Sequence, residues 1–393
     1  MKKVLLFISP VLFLIACSDG GGNGNSIAGC MDETALNYNA NATVDDGSCE
    51  YENTSNPNRT ALLNNVTNNI IIPSYDNLIN DLNDLKSIAL SFTNNPTQES
   101  LNEVRKAWVK TYVTWQPVEM FNINLAEEME YYKTMNTYPC TPGYIENNIE
   151  TQSYDLNSIT LQSRSSQGLP AVDYMLYGLN NDTNEIINYY TGTNGANYGN
   201  YLNDLIDQMQ LNTNAMISDW QNQKESFINS SGNTATSSVN KLSNDFVFYY
   251  EKGFRANKIG IPVGKWNGWE PYEYGVEAYY RRDISKRLAL KALSACKDFF
   301  LGKSIQTGTI GYSYVDLIAS NGDETLSTDI LYKFDQAEIA LNNLNDDFRS
   351  HLSGNNTPMV EAYNTIQQAV VSLKVEMLGI LTISADYADS DGD

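Results

Sequence analysis

A single histidine, His351, serves a chain of 393 residues. One imidazole cannot build a multi-histidine zinc centre. Cysteines number five; none sits beside a histidine in a nucleophile-like context, and no Gly-x-Ser-x-Gly elbow occurs. Basic residues are also scarce. Against 47 Asp and Glu there are 25 Lys and Arg, a formal net charge of −22. So acidic a chain repels phosphate backbones, which excludes nucleic acid as a partner. Beyond the N-terminus no stretch approaches the roughly 20 apolar residues of a membrane helix. Nor does any segment sustain period-two alternation with hairpin turns. What is there is 42% hydrophobic residues, enough for a sizeable core, and length for two or three domains.

The N-terminus carries an address. Met1-Lys2-Lys3 is basic, and Val4 to Ala16 is apolar apart from Ser9 and Pro10, the layout of a secretory signal. It ends in Leu14-Ile15-Ala16-Cys17, which resembles a bacterial lipobox. Residues 1–16 therefore read as a lipoprotein signal peptide and Cys17 as the lipidated first mature residue; the alternative is an ordinary signal peptide with a chance cysteine. An anchored, exported protein on the outer membrane of a Gram-negative bacterium is expected. Ser18-Asp19 leave open whether it faces the periplasm or the cell surface.

Residues 17–58 read as a tether with a small module in it. Positions 18–28 are rich in Gly, Asn and Ser, a flexible composition. The stretch from Gly29 to Tyr51 resembles a short Cys-bracketed module of bacterial surface proteins. In an exported chain its Cys30 and Cys49 point to a disulfide, worth about 3 kcal/mol for a loop of this length. Asp45 and Asp46 read as turn residues, because the full calcium-loop spacing is missing.

From about residue 59 the apolar period is helical. Leu78, Leu82, Leu85, Ala89 and Phe92 form one stripe, and Leu101, Val104, Trp108, Tyr112 and Trp115 the next, separated by a break at Asn94–Thr97 with cap chemistry at Thr97 and Ser100. Residues 137–167 show no period and read as a long loop. Leu202, Leu205, Ile206 and Met209 mark another helix, as do Leu242, Phe246 and Tyr249. Two final stripes, Phe334 to Phe348 and Tyr363 to Met377, flank a turn at Ser353–Pro358, predicting an antiparallel helical hairpin. The expected fold is all-α: two helical-bundle domains, residues 59–235 and 236–393, with a cleft between them.

Gly168-Leu169-Pro170-Ala171-Val172-Asp173 is the stretch with most to say about function. On its own residues, Pro170 suits a first helical turn and Asp173 a first-turn acid favoured by the helix dipole. The stretch also resembles the signature of the imelysin-like (M75 peptidase-like) family, Gly-x-His-x-x-Glu. Gly168 matches the glycine, Asp173 stands for the glutamate, and Pro170 replaces the histidine. Further blocks resemble the family in order: Arg105 to Trp108 with Trp115 and Glu119, then Gly260 to Gly264 with Val276-Glu277-Ala278 and Ser285, then Gly311-Tyr312. The family's Ser is Ala278 here, and the spacing to Ser285 is one residue long. The resemblance spans residues 59–393 and implies two bundles with the signature near their cleft.

It further implies cleft candidates Glu119, Gly168, Pro170, Asp173, Glu277 and Ser285. Asp173, Glu119 and Glu277 would form a hard-oxygen site for iron or calcium; zinc is disfavoured without the histidine. The competing reading makes each a surface or ion-paired acid. No catalytic residue is assigned. The aromatics Trp266, Trp269, Tyr272, Tyr274, Tyr279 and Tyr280 would either stack a flat ligand or plug the base of a bundle, with Arg255, Lys258, Arg281 and Arg282 beside them. Asp389, Asp391 and Asp393 mimic only the start of a calcium loop. His351 reads as a helix-end residue, and Cys140 and Cys296 either pair or stay free. The expected function is a lipid-anchored binding component in iron or haem acquisition, with a metallopeptidase and an adhesion or scaffolding lipoprotein as the alternatives.

Overall fold

A computed structural model describes residues 26–33, 35, 37–45, 49, 55–182 and 184–386. The expected signal peptide, Cys17, Asp46 and the terminal Asp389, Asp391 and Asp393 lie outside the described residues. The chain divides into a small unit, residues 1–52, and a body, residues 53–393. In the small unit Ala28–Gly29 and Val44–Asp45 pair as two short parallel strands. Cys30 and Cys49 are joined by the expected disulfide.

The body is all-α. Asn56 starts it: its side chain accepts the N–H groups of Asn58 and Arg59 at 3.0 and 3.2 Å, and Pro57 opens the helix Pro57–Val66 where its missing N–H is harmless. This helix continues through a wide, π-helical turn at Thr67–Ile71 into Ile72–Asn94. Pro73 explains the irregularity. It cannot donate to the Asn69 carbonyl one turn back, and that carbonyl instead accepts the N–H of Ile305 at 2.9 Å.

A capping box of Thr97 and Ser100, with hydrogen bonds of 3.0 and 3.1 Å, starts Gln98–Trp115 as expected. The apolar stripe from Leu101 to Trp115 is fully buried, facing the Ile72–Asn94 helix, which also packs on the 35-residue helix Gly195–Asn229. A second group follows. Ser238–Phe248 runs into a long π-helical stretch, Tyr249–Gly260. The helices Ser285–Phe300, Leu326–Asn342 and Thr357–Val371 pack with it. No helix among the described residues is long and apolar enough to cross a membrane.

Two expectations need correction. Residues 137–167 are not a long loop: they hold the helices Pro142–Thr151 and Leu161–Arg164. The buried face of the first is Ile145, Asn148 and Ile149, and its central member is polar, satisfied by donating to the Tyr201 hydroxyl at 3.0 Å. A hydrophobic period cannot register such a face. The first arm of the C-terminal hairpin is also shorter than its stripe. It stops at Asn342, and Leu344 and Phe348 are buried from the connection that follows. His351 sits in the short helix Arg349–Leu352, where its Nε2 accepts the Asn345 N–H at 2.9 Å and stitches that connection. Cys140 and Cys296 are free and buried, and burial pushes both thiols well above the ordinary range.

Candidate functional site

Gly168 begins the motif helix Gly168–Asp173 with φ +74°. A Cβ there would collide with the Met135 carbonyl and lie 2.6 Å from the Thr134 carbonyl oxygen. Only glycine meets both demands, the left-handed backbone and the close approach. The helix passes at once into a π-helical turn, Tyr174–Gly178. Asp173 therefore closes the α-helical segment and is not the first-turn acid expected. Its role lies across the chain. Asp173 Oδ2 accepts the Tyr280 N–H at 2.8 Å and Oδ1 the Arg281 N–H at 3.0 Å. Burial pushes this carboxyl up to about 7, against the opposing pull of the two backbone donors and of the Arg281 and Arg349 guanidiniums.

The turn so held is a strained one. Ala278 has φ 57° and Arg282 φ 69°, left-handed values that cost a side-chain-bearing residue energy and persist only where surroundings over-determine them. Ser285 supplies the second constraint: its buried hydroxyl donates to the carbonyls of Glu277 and Arg282 at 3.2 and 3.1 Å. Asp173 and Ser285 thus fix the turn from both sides.

Glu119 and Glu277 meet in a different cluster, around Lys258. The Lys258 ammonium lies 2.9 Å from both Glu277 oxygens and 3.1 Å from Glu119 Oε2. Asn136 bridges the same two carboxylates, donating to Glu119 at 2.7 Å and Glu277 at 2.8 Å, while Gln116 donates to Glu277 at 3.1 Å and Tyr249 to Glu119 at 3.2 Å. Tyr112 fixes Asn136 through its carbonyl at 2.6 Å. All but the rim of this cluster is buried. Burial pulls the Lys258 ammonium down, and Glu119 and Glu277 together outweigh it, leaving its pKa above the ordinary lysine value.

The predicted hard-cation set of Asp173, Glu119 and Glu277 does not assemble. Among the described residues no group of three or more His, Cys, Asp and Glu is placed to hold a metal ion. The donor chemistry explains why. Both Asp173 oxygens accept backbone N–H groups, and both Glu277 oxygens face an ammonium that already supplies the positive charge. Pro170, where the signature histidine would stand, is buried and offers no donor. Beside it is a cavity of about 60 Å³ walled by Cys140, Pro142, Val276 and Ala278 as well as Asp173, room for a few waters and no more. The residues present therefore do not fit a zinc site. Lys258 was in view from the sequence only as a neighbour of the aromatic cluster. Its stretch, Tyr249–Gly260, also carries Glu251, Lys252 and Arg255, so no local signal sets Lys258 apart.

Two larger concavities adjoin these clusters. One, of about 610 Å³, reaches Glu119, Asn136 and Tyr249 and is bordered by Tyr138 and Trp266. The other, of about 1090 Å³, opens where the Gln98–Trp115 helix, the Tyr174–Gly178 turn and the 279–282 turn face one another. Tyr174, Tyr177, Tyr279 and Tyr280 form part of its wall. The aromatic cluster does not plug a bundle base: Trp266, Trp269, Tyr272 and Tyr274 are all exposed, the two tryptophans packing edge-on against Tyr363. Arg255 is buried beside Glu251, at 3.6 Å, with its guanidinium 5.3 Å from the centre of the Tyr363 ring.

A family model described as imelysin matches residues 71–377. No curated protein matches the chain. Among solved structures, a protein assigned as an iron-regulated protein A precursor, from Parabacteroides distasonis, superposes with a TM-score of 0.67 at 17% identity, over 84% of this chain and 95% of that one. An imelysin-like protein from Psychrobacter arcticum gives 0.64 at 15% identity, over 84% and 97%. At these identities the structural likeness establishes the all-α fold.

Proposed function

The chain belongs to the imelysin family, and from that membership we propose that it is an exported, lipid-anchored binding component of iron or haem acquisition that does not hydrolyse peptides. The observation that carries the reading is the state of the motif donors. Pro170 brings no imidazole, Asp173 is taken up by two backbone N–H groups, and Glu277 by Lys258. What remains open to solvent around the signature is concave surface suited to holding a small molecule, and sites of several hundred Å³ are the usual size for that. The iron-regulated description of the Parabacteroides relative supports the iron setting.

Titration calorimetry of the purified protein with haem and with ferric citrate tests this, together with a peptidase assay run with and without chelator. Saturable binding of one of the two, without chelator-sensitive proteolysis, is expected. Chelator-sensitive hydrolysis absent from a matched blank would establish the metallopeptidase alternative. An absence of both would leave the adhesion or scaffolding reading.

Anchoring through Cys17 has its own test. Cys17→Ser should move the protein from the membrane fraction to the soluble fraction. Unchanged membrane fractionation of that variant would refute the lipid anchor.

A further inference from the structure

Seven of the chain's 25 basic residues line the cleft of about 1090 Å³, and among the described residues no Asp or Glu does. In a protein of net charge −22 this is a local inversion of sign. The fold also forces like charges together. The guanidiniums of Arg105 and Arg281 lie 4.8 and 5.2 Å from the centre of one ring, that of Tyr177. Burial pulls the Arg105 guanidinium below its ordinary value, and Arg281 adds to that pull. Arg349 is laid over the Tyr279 ring at 4.0 Å and tied to the Tyr279 carbonyl at 3.0 Å. Arg282 and Arg287 reach the same cleft exposed, and neither has an ion pair among the described residues. The strained turn that presents Arg281 and Arg282 is the one Asp173 fastens. Lys106, Lys110, Arg281 and Arg349 pair with Glu103, with Asp81 and Asp84, with Asp283 and with Glu273, all outside the cleft lining. The inner wall therefore stays cationic, and planar guanidinium forks on aromatic walls match the geometry of carboxylates on a small organic skeleton.

We propose that this cleft binds a small molecule carrying several carboxylates, and that iron, if it enters here, enters as an anionic carboxylate chelate and not as a free cation. The second half rests on the iron-acquisition reading; the first does not. Free ferric ion or calcium would meet the same positive wall that attracts the chelate.

The test is titration calorimetry with citrate, ferric citrate and inorganic phosphate, on wild type and on the double variant Arg282→Glu, Arg287→Glu. Both positions are exposed, so the fold should survive, and far-UV circular dichroism checks that it does. Citrate and ferric citrate should both bind, less tightly as salt is raised, and about tenfold or more weaker to the double variant. Phosphate should bind far more weakly than citrate. Failure of citrate to bind, phosphate binding as tightly as citrate, or a folded double variant that binds like wild type would each overturn the inference. Citrate binding that excludes the ferric complex would leave the carboxylate site standing and remove the chelate half. Ferric citrate binding without citrate binding would overturn the carboxylate site while leaving the iron-acquisition reading in place.

Discussion

Lys258→Met should destabilise the protein by about 3–5 kcal/mol, the range for breaking a buried ion pair by removing one partner. Lys258 is 2% exposed and holds two carboxylates at once. Methionine keeps the length of the side chain but leaves Glu119 and Glu277 facing each other across Asn136 with no cation between them. The loss arises from stranded charge and not from lost packing, and this has a signature. Adding Glu277→Gln to Lys258→Met removes one of the stranded charges and should recover a substantial part of the stability, so the two substitutions will not add. The pH range follows from the sign of the lysine shift. Its folded-state pKa lies above the ordinary value, so the contribution is complete below about 10.4 and is lost only as pH rises through the higher folded value. Urea denaturation of Lys258→Met, Glu277→Gln and the double variant at neutral pH is the measurement. A single variant with an unchanged midpoint would show that the cluster does not hold the fold together.

Gly168→Ala should cost about 3 kcal/mol or more, through left-handed strain together with displacement of a neighbouring backbone. The displaced backbone is that of Thr134 and Met135, and the next residue, Asn136, is the one that bridges Glu119 and Glu277. The damage should therefore spread from the motif helix to the buried ion cluster. Gly143→Ala is the contrast. Gly143 lies in the helix Pro142–Thr151, and a Cβ there meets nothing within 4 Å. That change should be neutral or stabilising by up to about 1 kcal/mol. Thermal melts of both variants decide it, and equal melting temperatures would mean that the left-handed conformation of Gly168 is not required.

The helices were legible where one face is uniformly apolar. Leu101 to Trp115 could be read because Leu101, Val104, Trp108, Tyr112 and Trp115 put a large apolar side chain on the buried face at every turn, and Thr97 announces the start. Legibility failed where the buried face is polar, as at Asn148, or where helical phase changes. Lys258 is the instructive case. It lies in Tyr249–Gly260, a stretch of π-helical turns, and each such turn takes up more residues than an α-turn. A 3.6-residue period therefore cannot say which way the side chain points, so a residue read as a neighbour of exposed aromatics is the centre of the buried cluster. Glu119 lies far from Lys258 in sequence, and only the folded backbone brings the two together. The sequence reading named Glu119, Asp173 and Glu277, but their partners were beyond reach of any local pattern. Two backbone N–H groups satisfy Asp173, and backbone donors leave no trace in composition.

The fastening of residues 280 and 281 by Asp173 separates the two halves of the signature by what each is free to become. A side chain that ties together stretches more than a hundred positions apart cannot be exchanged without releasing a loop, whatever chemistry the protein performs. Position 170 is buried but holds no polar partner, so what stands there answers to packing alone. In this chain the acid of the signature works as a clasp between distant stretches, and its hold comes from backbone donors and not from whatever stands at position 170.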